Sequence, residues 1–132
     1  MILDDYAAFL TSLGIQFSRT NGFSVRFTMT NTDCCWIDIR CSKSGLLTLS
    51  SYFGTCYAGI RAVNRVVKEL QGRYPQYTIW PEKFTVYEID VEHSFPFETV
   101  EALHQKALAM AASIDESIPM CAQMLGEDAF ER

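Results

Sequence analysis

The feature that most restricts this chain is a run of alternating apolar and polar residues over positions 15–53, interrupted three times by turn-forming residues. Side chains of an extended strand point alternately to opposite faces, so a period of two describes strands with one dry and one wet side. Phe23, Val25, Phe27 and Met29 share one side, and Ser24, Arg26, Thr28 and Thr30 the other. Cys35, Ile37, Ile39 and Cys41 repeat the pattern against Cys34, Trp36, Asp38 and Arg40. Asn21-Gly22 tolerates positive φ and predicts a hairpin between residues 15–20 and 23–30. Asn31-Thr32-Asp33 and Ser42-Lys43-Ser44-Gly45 supply the next two turns, the second leading into residues 46–53. Four consecutive short strands joined by tight turns make an antiparallel meander.

The period changes on either side. Leu3, Tyr6, Ala7, Leu10 and Leu13 recur at three and four, with Gly14 as a stop, and predict an amphipathic helix over 3–13. Ile60, Val63, Val67 and Leu70 form an apolar stripe over 57–73, with Arg61, Arg65 and Lys68 as a basic one. A short strand at 77–80 and a longer one at 84–92 follow, separated by Pro81-Glu82-Lys83. A final helix is expected from Ser94-Phe95-Pro96 to about Leu125, with Ser94 as cap. Its stripe of Val100, Leu103, Ala107, Met110, Ile114, Cys121 and Met124 is nearly heptad, interrupted by Ser117, and suggests a homodimer. Pro119 should kink or break it. The predicted order is α-β-β-β-β-α-β-β-α, an α+β two-layer sandwich formed by one domain over 1–132.

Composition narrows the functional classes. Hydrophobic residues make up 48% and charged residues 20% of 132, the balance of a globular protein rather than a disordered one. No apolar run reaches the length of a membrane span, and the acids in Met-Ile-Leu-Asp-Asp stand where an export signal would carry basic residues. The net charge of −5 opposes direct nucleic-acid binding, which needs a basic face. The five cysteines, Cys34, Cys35, Cys41, Cys56 and Cys121, are odd in number and lack metal-site spacing. They are expected to be reduced thiols in the cytoplasm.

The chemistry search finds no phosphate loop, nucleophile elbow or zinc-protease motif, and no cofactor is implied. His93, expected at a strand–helix junction, and His104, on a polar flank of the last helix, are expected to be structural or solvated. Cys56 falls where the second helix should begin, and a helix N-terminus lowers a thiol pKa; no base lies nearby, so a plain half-buried cysteine is the competing reading.

More distinctive is the strand over 84–92. Glu88, Asp90 and Glu92 project from one face, opposite Tyr87, Ile89 and Val91. The row could hold a metal, meet a basic partner, or form the solvated side of an edge strand; no supporting ligand cluster favours metal. Arg61, Arg65 and Lys68 could pair with it, within the fold or across a dimer, or form the wet side of their helix. Trp36 and Trp80 share faces with polar residues, so they either mark a protein-binding patch or lie beneath the last helix.

The opening helix over 3–13, the strands over 15–53 and the segment Ala62-Val63-Asn64-Arg65 resemble the type III secretion chaperone-like superfamily, in particular its YbjN-like branch. The resemblance spans nearly the whole chain as a pattern. Val66, Val67 and Lys68 stand where that branch usually has a second asparagine. The resemblance implies a two-layer α+β fold, dimerisation and protein binding without catalysis. Three functions follow as expectations: a chaperone-like or regulatory protein-binding module, a small acidic inhibitor occupying a partner's basic nucleic-acid-binding surface, and a cysteine-dependent enzyme.

Overall fold

In the computed structural model, residues 1–20, 24–27 and 36–132 are described. The expected turns at Asn21-Gly22 and Asn31-Thr32-Asp33, and Phe23, Thr28, Met29, Thr30, Cys34 and Cys35, lie outside the described residues.

Alternation builds the sheet as anticipated. Strands β1 (Phe17–Thr20), β2 (Ser24–Phe27), β3 (Ile37–Cys41) and β4 (Leu46–Cys56) pair antiparallel in sequence order. After them come β5 (Thr78–Lys83) and β6 (Tyr87–Pro96), and β6 pairs with the free edge of β4 along its length. The spatial order is therefore β1-β2-β3-β4-β6-β5. A seventh strand, β7 (Phe130–Glu131), pairs with Thr55 and Cys56. It fits there because β3 occupies that edge of β4 only from Leu47 to Ser50.

Three helices, α1 (Ile2–Ser12), α2 (Ile60–Arg73) and α3 (Val100–Leu125), lie on one face of this sheet. That face is apolar in register: Val25, Ile39 and Leu49 form one row and Phe27 with Ile37 the next, all buried. The helices return Leu3, Tyr6 and Leu10 from α1, Val63, Val66 and Leu70 from α2, and Leu103, Ala107, Met110 and Ile114 from α3. Fully burying one such side chain stabilises by roughly 1.5–3 kcal/mol, so this single layer supplies most of the driving force. On α2 Val63 and Leu70 are buried as expected, but Val66 is buried in place of Val67, which is half-buried, and Ile60 is 40% exposed.

The remaining differences have local causes. Residues 94–96 extend β6 instead of starting a helix, because β4 offers partners as far as Leu46 opposite Pro96. The Ser94 hydroxyl pairs with that of Thr48 at 2.9 Å, and Thr99 caps α3 by accepting from the Ala102 amide at 3.0 Å. Pro81 lies within β5, which the sheet tolerates because β5 is an edge strand and the missing N–H can face outward. Strand 84–92 is not an edge: β6 lies between β4 and β5. Pro119 does not break α3, which continues to Leu125 with Cys121 buried beyond it. The near-heptad stripe of α3 is spent within the chain: Leu103, Ala107, Met110, Ile114, Ser117 and Cys121 are all buried, and only Met124 is exposed.

One glycine is dictated by a close approach. Phe53 is the extra residue of a bulge in β4, and it brings Gly54 beneath the Phe130 ring. A Cβ at Gly54 would stand 2.4 Å from that ring, inside any real contact distance.

Candidate protein-interaction face

With all three helices on one side, the other face of the sheet carries no covering helix among the described residues. Antiparallel sheets commonly keep one face in water, and this one follows that rule with unusual side chains. The register stacks them in rows. Trp80 of β5 stands opposite Asp90 of β6, which stands opposite Tyr52 of β4. Glu82, Glu88 and Thr55 form the row on one side of it, and Thr78, Glu92 and Ser50 the row on the other. The central row is extended by Trp36, whose ring centroid lies 5.6 Å from that of Tyr52.

Two guanidinium groups already lie on these rings. Arg26 stands 4.3 Å from the centroid of Trp36, and Arg132 stands 5.0 Å from that of Tyr52. Such contacts are worth about 0.5–1 kcal/mol at exposed sites and more when water is excluded. Arg26 also reaches Asp38 at 3.4 Å. The Trp80 indole donates to Glu82 at 3.0 Å.

Glu88 and Asp90 lie close together on this half-buried face. Burial pushes the Asp90 carboxyl up to about 7, and the negative charges of Glu88 and Glu82 add to the effect. Burial also raises Glu88, which shares a hydrogen bond with Asp90. Two carboxyls in such contact resist ionising together, so the pair retains a proton to higher pH than either would alone. Among the described residues no Lys or Arg forms an ion pair with Glu82, Glu88, Asp90 or Glu92. No group of three or more His, Cys, Asp or Glu among those residues is placed to hold a metal ion.

Of the residues singled out from sequence, the fold thus brings together Glu88, Asp90, Glu92, Trp80 and Trp36. It does not bring Arg61, Arg65 and Lys68 to them: these are exposed on α2, in the helical layer on the opposite side of the sheet. Pairing of the two stripes within the fold is therefore not realised. Neither tryptophan lies under α3. Four members of the face escaped sequence reasoning. Tyr52 was legible, since it alternates with Thr48 and Ser50 on the polar side of β4. Glu82 was hidden behind Pro81, Arg26 shows its place only once Trp36 is set beside it, and nothing local marks Arg132.

The groups that could have supported catalysis are turned inward. Cys56 ends β4, four residues before α2 begins, and is fully buried; burial pushes its thiol up to about 11. It is thus a protonated core residue at neutral pH rather than a helix-activated thiolate. His93 is a mid-strand residue of β6 packed against Tyr77 and Phe95, with burial and Lys106 lowering its pKa. His104 is 6% exposed, not on a polar flank, and its Nδ1 meets the Tyr6 hydroxyl at 2.9 Å.

No family model matches the chain, and no curated protein does. Among solved structures it is similar to YbjN from E. coli, described as a candidate transcription regulator, with a TM-score of 0.69 at 11% identity. The alignment covers 98% of this chain and 96% of that one. At that identity the likeness shows the fold: this is a YbjN-like α+β architecture. The wider resemblance to secretion chaperones draws no support from it.

Proposed function

We propose that the chain is a non-catalytic protein-binding module of regulatory or chaperone-like type, which docks a partner protein on the open face of its sheet. The observation that carries this reading is the row Trp80–Asp90–Tyr52–Trp36, half-buried and uncovered by any helix of the described structure. Tyr and Trp are enriched where proteins meet, because they bury large apolar area while losing few rotamers. The inward orientation of Cys56 and His104 supports a role without catalysis. The description of YbjN is consistent with a regulatory role and supplies no residue-level detail. The free thiols of Cys41, Cys56 and Cys121 suit a reducing cytoplasm.

A second reading, a small acidic inhibitor on a partner's basic nucleic-acid-binding surface, is favoured by the same four carboxylates, which form no ion pair among the described residues. The homodimer inferred from α3 loses its motive, because that stripe is consumed in the core. The test is affinity purification from the native host with three baits. A partner retained by the wild type and by Arg61→Glu/Arg65→Glu/Lys68→Glu, but lost with Tyr52→Ala/Trp80→Ala, is the expected result. Loss with the α2 variant and retention by the sheet variant would place binding on the helical side and end the proposal.

A further inference from the structure

We propose that the edge of β4 beyond β3 is a strand-docking slot between copies of this chain, filled in a dimer by segment 127–132 of the second copy. The inference rests on a strand edge and a hinge, and does not depend on the docking reading above.

The slot is what β3 leaves uncovered. β3 pairs with β4 only from Leu47 to Ser50, while β4 runs on to Cys56. An uncovered strand edge offers its N–H and C=O groups to any extended segment that reaches it. Here it takes Glu131 opposite Thr55 and Phe130 opposite Cys56, and the Tyr57 N–H donates to the Ala129 carbonyl at 2.8 Å. The Phe130 ring packs against Gly54, where no Cβ stands in its way, and the Tyr57 hydroxyl donates to Glu131 at 3.0 Å. The occupant is thus an extended segment with an aromatic side chain followed by a carboxylate. Every copy of the chain carries that segment.

The hold on the chain's own segment is small, and its hinge is short. β7 has two residues, each paired once with β4. The guanidinium nitrogens of Arg132, which lies over Tyr52, are buried without a hydrogen-bond partner among the described residues. That state costs free energy for as long as the segment is docked. Residues 126–129 join α3 to β7 through a 3-10 turn and through Gly126, whose φ of 98° suits glycine alone. A short, sharply bent hinge ahead of a docked strand is the arrangement that exchanges between copies. Straightening the hinge sends the strand to a neighbour, where it makes the same contacts, and the reciprocal exchange closes a dimer. Because the contacts are conserved, the hinge sets the balance.

The experiment puts strand and slot on different chains. Phe130→Ala removes the ring and leaves the slot, whereas Gly54→Ala fills the slot and leaves the ring. By size-exclusion chromatography with light scattering, each variant of the full chain should be monomeric alone. An equimolar mixture should form a heterodimer, since the intact strand of the Gly54→Ala chain can enter the intact slot of the Phe130→Ala chain. Gly126→Ala is the second arm. Gly126 is exposed, and a Cβ there would meet nothing within 4 Å, so the change acts on the backbone alone. It should raise the dimer association constant about tenfold, because alanine is strained in the bent hinge and relaxed in a straightened one. A mixture that stays monomeric while both variants keep their far-UV circular dichroism would overturn the inference. So would a dimer formed equally by each variant alone, which would place association elsewhere, or a Gly126→Ala chain no more dimeric than the wild type. If Phe130→Ala or Gly54→Ala fails to fold, the Gly126→Ala result decides by itself.

Discussion

Replacing Asp90 by Asn should make the protein more stable, and only in a defined range of pH. In the folded state the Asp90 carboxyl titrates near 7, displaced from an ordinary value of 3.8 by burial and by Glu88 and Glu82. A folded-state pKa above the unfolded one means that the native protein binds the extra proton. Stability from that proton is present below the unfolded pKa and is lost as pH rises through the folded one. At 1.36 kcal/mol for each pKa unit, the full displacement corresponds to at most about 4 kcal/mol. Asp90 lies on a half-open sheet face where water screens part of this, leaving about 1–2 kcal/mol. Asparagine mimics the protonated acid in shape and stays neutral at every pH. Asp90→Asn should therefore match the wild type near pH 4 and exceed it by about 1–2 kcal/mol at pH 8. For a chain of this length that is roughly 3–8 °C in Tm. Thermal and urea unfolding followed by far-UV circular dichroism at the two pH values would show it. Charging of His104 affects both proteins and cancels in the difference. An Asp90→Asn variant less stable than wild type at pH 8, or stabilised equally at both pH values, would refute the reasoning.

Three further outcomes are expected. Gly54→Ala should cost about 2–3 kcal/mol by driving the Phe130 ring out of its site, and much less in a Phe130→Ala background; a double-mutant cycle by urea unfolding measures the coupling. Burial lowers the His104 pKa below its ordinary 6.5, so its contribution is present above about pH 6.5 and lost as pH falls. His104→Phe should flatten that acid limb of the urea midpoint, and Tyr6→Phe should cost about 1 kcal/mol at pH 8 by leaving Nδ1 without its partner. Cys56 should resist alkylation of the native protein at neutral pH, and mass spectrometry finding it labelled ahead of half-buried Cys41 would contradict its burial.

Much of the fold was legible because its periodicities are strong and local. The alternation of Val25, Ile37, Ile39 and Leu49 marks strands whatever they pair with, and Leu3, Tyr6 and Leu10 mark a helix in the same way. Boundaries failed where a distant partner decided them. Ser94 has the chemistry of a helix cap, but Thr48 across the sheet claimed it. Pro81 has the chemistry of a turn, but an edge position made it harmless in β5.

The acidic row shows the same division at the candidate site. That Glu88, Asp90 and Glu92 share a face follows from the geometry of any strand, so the sequence by itself determined it. Whether β6 was a soluble edge or an interior strand depended on β4 pairing with it across the thirty residues that separate the two strands, which no local pattern encodes. Only the tertiary structure set Trp80 and Tyr52 on either side of Asp90 and Arg132 over Tyr52. It also sent Arg61, Arg65 and Lys68 to the opposite side, because α2 had to turn its apolar residues onto the sheet. Side-chain alternation is written into neighbouring residues; which strands become neighbours is decided by the burial of the whole core.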